Sequence, residues 1–572
     1  MKTSKTDVII IGAGPTGLSL ACQLLRFGID FVVVEQNEGV TQYSKAIGVQ
    51  ARTLEIYEQL GLSRRAIEDG EIANKVRLLA GGQVRGELQL GNYGKSISPY
   101  PYMLMLEQSK NEKLLYELLQ SHGKDVLWKT ELEGFSQDEA GVSARVKGAD
   151  GTQTINARYL VGCDGASSKV RRDLGLSFAG STFERLFFVA DVQIDWELPH
   201  DAIQVCLGRN VFTAFFPMKG DKRYRIVGTF PEGADQEDRE VLYDEIEEQI
   251  RREAQLPLEI SDVKWFSLYK VHSRRVNQFS VRRCFVAGDA AHIHTPVGAQ
   301  GMNTGIQDAY NLGWKLAYVI KGYAGRRLLE TYNDERLPNA KRLLETTDRL
   351  FELGAGSNWL LSLIRTTIFP PLAGFVASLD SVRKRMFPLI SQTGISYRNS
   401  SLSDHTSAGS FKVKAGDRMP YLTLEGKSIY ENLRAPGFHL LRFSSDMSET
   451  DLTSPVEVEY RDMLDYQIFG LNPIVRELFG MDKTFHVLLR PDNHIAFISP
   501  GASLSGAMAY LDKLREGSAK EKFPLNEPGF STELDKRLDS NSSGAESYQP
   551  LQFASRFIRH SGDSSRVSRN QN

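Results

Sequence analysis

Cysteine is scarce in this chain. The 572 residues include only four cysteines, at positions 22, 163, 206 and 284, and no CxxC pair occurs. This pattern argues against a disulfide framework or a zinc finger, and it is typical of a protein of the reducing cytosol. The neighbouring His292 and His294 have no further ligands at metal-site spacing. We therefore expect a cytoplasmic protein without a metal site.

An excess of charge of one sign is also missing. Lys and Arg number 69 against 71 Asp and Glu, a net charge of -2, so no overall basic field indicates nucleic acid. The most apolar late stretch, residues 359–379, is interrupted by Arg365 and by Pro370 and Pro371. That stretch predicts packed helices with a break rather than a membrane span. We expect neither nucleic acid nor a membrane as a partner.

The first 35 residues have the pattern of a complete βαβ unit. Residues 7–11 form a nearly continuous apolar run that predicts a strand buried on both faces. Residues 18–27 predict a helix, Gly28 ends it, and residues 31–34 predict a second buried strand.

A glycine turn, GAGPTG at residues 12–17, connects that strand to that helix. Gly12 permits the tight turn, Gly14 lets the backbone approach a pyrophosphate, and Gly17 lets helix and strand pack closely. The helix N-terminus adds free N–H groups and a favourable dipole for phosphate. Glu35 ends the second strand, where a carboxylate accepts hydrogen bonds from an adenosine ribose and repels a 2′-phosphate. The unit therefore predicts FAD or NAD rather than NADP.

A segment far along the chain decides between FAD and NAD as the predicted cofactor. Residues 283–287 predict a buried strand that ends in Gly288 and Asp289, and a carboxylate there can bind the hydroxyls of a ribityl chain. Residues 295–303 open a helix, whose free N–H groups can face the pyrimidine end of a flavin. NAD has no need of this second site, so the sequence predicts FAD.

Together these motifs resemble the single-component FAD-dependent aromatic hydroxylases, the class of p-hydroxybenzoate hydroxylase and phenol hydroxylase. The glycine turn, an Asp-Gly motif at residues 162–171 and the Gly-Asp motif at residues 288–308 occur in the expected order, and the resemblance covers roughly residues 5–515. It implies an α/β fold: a Rossmann-like FAD-binding fold of the glutathione-reductase type with an inserted, mostly antiparallel substrate sheet. It also implies a C-terminal thioredoxin-like domain, which has no cysteine and so cannot do thiol redox work.

The resemblance implies roles for individual residues. Pro296, Asp164 and Tyr224 are the expected catalytic residues. Asp164 is expected near the pyrophosphate and the path of NADH or NADPH, and Pro296 beside the isoalloxazine. Tyr224, on a strand of the middle sheet, either faces the substrate or is an ordinary sheet aromatic. Lys45 stands where many relatives have an arginine, so the charge remains but the bidentate fork is lost. The residues expected to bind FAD are Gly12, Gly14, Pro15, Thr16, Gly17, Glu35, Lys45, Arg52, Gln108, Asp164, Gly288, Asp289, Pro296, Gly298, Gly301, Met302 and Asn303.

The same motifs divide the chain, because all of them belong to one FAD site. The predicted segments are the first part of the FAD-binding domain (1–180), the substrate-binding sheet (181–275), the second part of the FAD-binding domain with long helices (276–395), a linker (396–410), the thioredoxin-like domain (411–515) and a disordered tail (516–572).

The activity implied by the resemblance is a monooxygenase reaction. NADH or NADPH would reduce FAD, and O2 would form a flavin hydroperoxide that hydroxylates a phenolic or polyketide-type aromatic substrate. The resemblance also allows a homodimer. Two alternatives stay open: a flavin-dependent epoxidase or reductase on an isoprenoid-like substrate, and a flavin-binding scaffold without turnover. The Asp164-Gly165 pair favours a hydroxylase over the first, and intact Glu35, Asp164 and Asp289 argue against the second.

Overall fold

The structure is a computed structural model. It describes residues 3–42, 46–207, 212–230, 243–295, 297–355, 380–407, 409, 411–424, 426–445 and 459–517. Almost all of the predicted tail, from residue 518 onward, lies outside the described residues.

The secondary-structure elements are numbered here in chain order. The strands of the first part are β1 (Thr3–Lys5), β2 (Val8–Ile11), β3 (Phe31–Val34), β4 (Gly48–Val49), β5 (Glu71–Ala73), β6 (Lys75–Ala80), β7 (Gln83–Gln89), β8 (Met103–Met105), β9 (Val126–Leu127), β10 (Glu131–Gln137), β11 (Val142–Gly148), β12 (Gly151–Ala157) and β13 (Tyr159–Gly162). The strands that follow are β14 (Phe178–Asp195), β15 (Ala202–Leu207), β16 (Phe212–Pro217), β17 (Arg223–Thr229), β18 (Glu259–Val276), β19 (Ser280–Val281), β20 (Cys284–Val286), β21 (His292–Ile293), β22 (Thr423–Leu424), β23 (Lys427–Ser428), β24 (Phe438–Ser444), β25 (Leu464–Gly470), β26 (Phe485–Leu489) and β27 (Ile495–Pro500). The helices are α1 (Pro15–Arg26), α2 (Ala51–Gln59), α3 (Ser63–Asp69), α4 (Leu90–Gly94), α5 (Gln108–Ser121), α6 (Lys169–Asp173), α7 (Tyr243–Ala254), α8 (Gly301–Lys321), α9 (Arg327–Ala355), α10 (Asp380–Ile390), α11 (Ile429–Asn432), α12 (Pro473–Phe479) and α13 (Ser505–Arg515).

A six-stranded, mostly parallel sheet carries both motifs that the sequence predicts to bind FAD. Its order is β19-β20-β13-β2-β3-β9, and β2 pairs in parallel with β3 on one side and β13 on the other. Every residue of β2 is buried, because helices cover both faces of such a sheet. The predicted βαβ unit is confirmed. Its helix begins at Pro15, where a residue without an N–H fits the first turn.

An eight-stranded sheet forms the second layer, in the order β21-β18-β14-β17-β16-β15-β6-β7. Its pairs are antiparallel except for β15 with β6. The predicted inserted sheet covers residues 181–275, but the sheet also takes in β6 and β7 from earlier in the chain. Strand patterns do not show which distant strand lies alongside, so this partnership was not visible in the sequence. One face of the sheet packs against α7 through Ile246 and Ile250.

A four-stranded sheet, ordered β25-β24-β26-β27, forms the centre of the C-terminal domain. Its first two strands in sequence are parallel, and the last two add in antiparallel fashion. This layout is consistent with the predicted thioredoxin-like domain. The domain packs tightly against α8: the rings of Trp314 and Phe438 are 5.8 Å apart, in one continuous core.

Helices long and apolar enough to cross a membrane are absent from the part of the chain that the structure describes.

Candidate cofactor and substrate site

Close packing of the backbone around the glycine turn explains two of its three glycines. Gly12 has a φ of +105°, and a Cβ on it would lie 2.3 Å from the carbonyl oxygen of Cys163. A Cβ on Gly17 would lie 2.0 Å from the carbonyl oxygen of Gly12, so both glycines are required by packing. Gly14 differs: among the described residues, none beyond its chain neighbours has a heavy atom within 4 Å of a Cβ built on it, and none caps α1 with its side chain. The start of α1 therefore has open space beside Gly14 and uncapped N–H groups, which fits an anionic group.

Glu35 lies against this turn. Its Oε2 accepts a hydrogen bond from the N–H of Ala13 at 2.8 Å, and its Oε1 accepts one from the N–H of Asn37 at 2.9 Å. These bonds fix the carboxylate at the end of β3, where the sequence places the ribose of FAD.

Gln108 begins α5 and donates from Nε2 to Oε1 of Glu112 at 2.8 Å. Glu112 is buried, its Oε2 accepts from the N–H of Thr41 at 2.7 Å, and burial raises its pKa, with the nearby Glu35 adding to the rise. The predicted FAD residues Gln108 and Glu35 thus share one neighbourhood. Sequence reasoning missed Glu112, which carries no motif and would be found only from the tertiary contact.

The Gly-Asp turn lies directly against the glycine turn. Gly288 has a φ of +61°, and a Cβ on it would meet Oγ1 of Thr16 at 2.4 Å. The predicted FAD residue Thr16 therefore packs between the two motifs. Asp289 remains accessible to solvent, yet the surrounding protein raises its pKa by desolvation. Among the described residues it has no hydrogen-bond partner, so its carboxylate fits a ligand that carries hydroxyl groups.

The segment before α8 is held by Asn303. Gly298 and Ala299 have positive φ values of 77° and 53°, and Met302 is half-buried. The buried Asn303 amide is used entirely by protein groups. Its Nδ2 donates to the carbonyls of Gly48 and Ala299, both at 2.8 Å, and its Oδ1 accepts from the N–H of Gln50 at 2.9 Å and from Thr53 Oγ1 at 2.7 Å. Asn303 therefore positions the N-terminus of α8, and a cofactor there would meet backbone groups.

Asp164 accepts hydrogen bonds from residues that follow it closely in sequence. Its carboxylate accepts from Ser168 Oγ at 2.5 Å and from the N–H groups of Lys169 at 2.7 Å and Val170 at 3.0 Å. Burial raises its pKa, while these hydrogen bonds lower it. The residue predicted to guide the nicotinamide cofactor therefore stabilises the start of α6 in this structure.

Arg52 is directed to the C-terminal domain. Its guanidinium is buried, with NH1 donating to Glu55 Oε2 at 3.0 Å and NH2 to the carbonyl of Asp492 at 2.8 Å. This geometry argues against the predicted contact of Arg52 with the cofactor, because both terminal nitrogens of its guanidinium already donate to protein groups. Lys45 and Pro296, two further predicted site residues, lie outside the described residues.

Tyr224 faces away from the FAD-binding domain. It belongs to the buried core between the eight-stranded sheet and α7, and its hydroxyl accepts from Trp196 Nε1 at 3.1 Å. Side chains alternate across a strand, so its neighbour Arg225 points the other way and donates from NH1 to the carbonyl of Ala46 at 2.9 Å. The structure therefore favours the interpretation of Tyr224 as a sheet aromatic over the prediction that it faces the substrate.

A polar cluster that the sequence did not predict lies on the opposite face of the sheet from Tyr224. Arg225 donates from Nε and NH2 to the two oxygens of Asp191, both at 2.7 Å, and Trp265 Nε1 donates to Asp191 Oδ2 at 2.8 Å. The three residues lie opposite one another on β17, β14 and β18, and all are buried. The register of the sheet, which the sequence does not show, brings them together.

Metal-ligand clusters of three or more His, Cys, Asp or Glu are not found within the described ranges.

Comparison with known proteins identifies the family. A model of the FAD binding domain matches residues 5–347. A flavin-dependent monooxygenase of Mycobacteroides abscessus is 32% identical over 503 residues, which cover 86% of this chain and 97% of that protein. The chain belongs to the FAD-dependent monooxygenases. The resemblance stated from the motifs is thereby confirmed.

Two further relatives extend the likeness beyond the FAD-binding domain. Pentachlorophenol 4-monooxygenase of Sphingobium chlorophenolicum is 30% identical over 521 residues, covering 86% of this chain and 94% of that protein. The structure of an anhydrotetracycline hydroxylase from Streptomyces rimosus superposes with a TM-score of 0.72 at 28% identity, covering 90% of this chain and all of that one (100%). This monooxygenase therefore shares its architecture with hydroxylases over most of its length. These relatives lend no support to the alternative of an isoprenoid epoxidase or reductase.

Proposed function

We propose that this monooxygenase hydroxylates an uncharged, hydrophobic aromatic compound of the phenol or polycyclic phenol class, with NADH or NADPH as electron donor. The observation that carries the proposal is the face of the eight-stranded sheet on the side of Arg225. That face combines aromatic side chains with a charge-neutral polar cluster. It lies on the side of the FAD-binding domain, because Arg225 reaches Ala46.

Apolar side chains on this face remain partly accessible. Tyr269 is half-buried, and its ring lies 5.6 Å from that of the buried Phe187 on the neighbouring strand. Phe216 and Val227 occupy the same face, and each is half-buried. A flat aromatic substrate suits such a surface, since rings gain from stacking and from the loss of apolar area to water.

The charge of the face argues against an anionic substrate. Arg225 uses two of its nitrogens on Asp191 and the third on the Ala46 carbonyl, so its positive charge is already compensated. A carboxylate entering this face would be desolvated without gaining a bidentate arginine partner. The substrate names of the relatives, pentachlorophenol and anhydrotetracycline, agree with a phenolic compound whose recognition needs no carboxylate.

The residues described above would hold FAD in named places. The N–H groups after Gly14 suit the pyrophosphate, Glu35 the adenosine ribose, and Asp289 the ribityl hydroxyls. When bound, FAD supplies the hydride acceptor and the oxygen chemistry. The protein contributes orientation and a surface that excludes water from the aromatic substrate.

Three finer points belong to the same proposal. The donor is NADH or NADPH, with no preference assigned. The enzyme works in the cytoplasm, in keeping with four buried cysteines that form no disulfide. It forms a homodimer.

Oxygen uptake and NADH or NADPH oxidation by the purified protein test the proposal. We expect phenols and polycyclic phenols to stimulate both rates, and we expect the same ring bearing a carboxylate to stimulate them much less. Phenol against 4-hydroxybenzoate is a matched pair for this comparison. Preference for the carboxylated ring would contradict the charge argument, and stimulation by no aromatic compound would contradict the proposed function itself.

A further inference from the structure

The Gly-Asp turn is held from behind by a buried aspartate. Asp308 on α8 accepts at Oδ2 from the N–H of Gly288 at 3.0 Å and hydrogen-bonds His292 Nε2 at 2.7 Å. Both Asp308 and His292 are buried. The position of the turn, and hence of Asp289, therefore depends on where the Asp308 carboxylate is fixed.

Asp308 is fixed in turn by α9. Arg336 donates from Nε to Asp308 Oδ1 at 2.6 Å and from NH1 to the hydroxyl of Tyr397 at 2.9 Å. Burial alone would raise the pKa of Asp308, but Arg336 and His292 hold it below its usual value. The aspartate therefore stays ionised and able to accept hydrogen bonds from Gly288 and His292.

The C-terminal domain supplies the next partners. Arg490 donates to both oxygens of Glu335, at 2.5 and 3.0 Å, and Lys315 donates to Glu335 at 2.8 Å. Arg490 also pairs with Asp492, and its guanidinium lies 5.3 Å from the centre of the Tyr397 ring. None of these four charged side chains is more than 1% exposed.

Each of these buried charges is stable only while its oppositely charged partners are present. Removing one partner leaves an uncompensated charge in a medium that solvates it poorly. Glu335 and Arg336 are consecutive residues of α9. If Arg490 were lost, Glu335 would be left with an uncompensated charge, and a shift of Glu335 would also displace Arg336, which is hydrogen-bonded to Asp308. The Arg490–Glu335 pair joins positions 155 residues apart in sequence, which makes it a tertiary link between the two domains.

We propose that Arg490 and Tyr397 are positioning residues for the cofactor: they hold α9 and Arg336, and through Asp308 they hold the Gly288–Asp289 turn in its FAD-binding position. The C-terminal domain is then part of the FAD site although it contributes no predicted contact to FAD. This inference rests on FAD binding, which the family establishes, and not on the proposed substrate.

The test uses Tyr397→Phe in the full-length protein, because this change removes one hydroxyl and leaves the ring in place. Flavin fluorescence on serial dilution gives the Kd for FAD, and thermal unfolding with and without added FAD gives the stabilisation that FAD provides. We expect the Kd to rise about threefold to tenfold, since a hydrogen bond to a charged group is lost. The upward shift of Tm on adding FAD should shrink accordingly.

Two further variants complete the design. Arg490→Lys keeps the charge but loses the fork, and we expect it to weaken FAD binding at least as much as Tyr397→Phe. Arg398→Gln is the matched control, because Arg398 pairs with Asp417 at an exposed position of the same region, and its Kd for FAD should equal that of the unchanged protein.

The outcomes separate positioning from general support. If Tyr397→Phe lowers Tm equally with and without FAD and leaves the Kd unchanged, the residue has only a structural role and the inference is wrong. The inference is equally wrong if Arg490→Lys folds and binds FAD as tightly as the control. A failure to hydroxylate aromatic compounds would leave these FAD measurements intact, so the two proposals fail independently.

Discussion

Thr16 and Gly305 are in direct contact where α1 crosses α8: a Cβ on Gly305 would lie 2.3 Å from Oγ1 of Thr16. The same hydroxyl lies next to Gly288. Thr16 of the glycine turn therefore fixes how closely α1 approaches both Gly288 and Gly305. The two parts of the FAD-binding domain are in contact at this point.

Gly305→Ala tests this packing. The added methyl overlaps Thr16 Oγ1, so we expect the free energy of unfolding to fall by about 1–3 kcal/mol and FAD to be retained poorly. Thr16→Ala removes the hydroxyl and leaves the Cβ at 3.5 Å from the new methyl, so the double variant should regain part of the loss. Chemical denaturation of the four proteins measures the coupling, and additive losses would contradict the contact.

Asp164→Ala removes three hydrogen bonds at the start of α6. We expect a loss of about 1–3 kcal/mol in the free energy of unfolding, because a half-buried carboxylate accepts all three. Asp173→Ala, at the exposed end of the same helix, breaks only the surface pair with Lys169 and should change stability by less than about 0.5 kcal/mol. Equal melting of the two variants would contradict a structural role. The rate of flavin reduction by NADH or NADPH in Asp164→Ala tests its predicted place near the nicotinamide path.

Tyr269 and Tyr224 offer a matched pair on opposite faces of one sheet. Tyr269→Ala removes a ring from the proposed substrate face, and we expect KM for the aromatic substrate to rise about tenfold, equivalent to ~1.4 kcal/mol. Tyr224→Phe loses only the bond from Trp196 and should leave KM unchanged. Steady-state kinetics of both variants distinguish the two faces; a KM effect at Tyr224 alone would show that the substrate lies on the side of α7.

His486 gives the protein a defined sensitivity to acid. It is buried in β26, and burial, with help from the charge of Arg442, lowers its pKa to about 4. The unfolded chain, with a histidine pKa near ~6.5, binds more protons than the folded one between those values, so stability falls as pH drops through this window. The histidine contributes about 3 kcal/mol of this loss by the time the pH is below its folded pKa.

His486→Gln should therefore flatten the dependence of unfolding free energy on pH from about 6.5 to 4. His122→Gln, at an exposed histidine, serves as the control and should keep the original slope. An unchanged slope in His486→Gln would mean that this histidine is not held neutral.

Local patterns in the sequence were enough for the elements that carry the motifs. The strand Phe31–Val34 lies where it was predicted, and α1 ends just before Gly28, which has the positive φ of a helix stop. Buried parallel strands and glycine-limited turns leave strong local signals, so the strands and turns of the predicted FAD motifs were visible without the structure.

The remaining site residues depend on contacts that no local pattern contains. Tyr224 and Arg225 are both buried, so hydrophobic alternation could not show which face meets the FAD-binding domain. Arg52 has the charge of a cofactor ligand, but its partner Asp492 is 440 positions away in sequence. Asp164 belongs to a family motif, and its use as a hydrogen-bond acceptor for α6 emerges only from the folded backbone.

The transfer of oxygen from O2 to the substrate tests the central claim most directly. The purified enzyme is supplied with NADH or NADPH, a neutral phenol that stimulates NADH or NADPH oxidation, and ¹⁸O₂, and the product is analysed by mass spectrometry. Our account predicts a hydroxylated ring with one ¹⁸O atom for each NADH or NADPH oxidised in coupled turnover. A product whose newly added oxygen comes only from water would contradict the account. So would NADH or NADPH oxidation that yields hydrogen peroxide and no hydroxylated ring with every phenol tested.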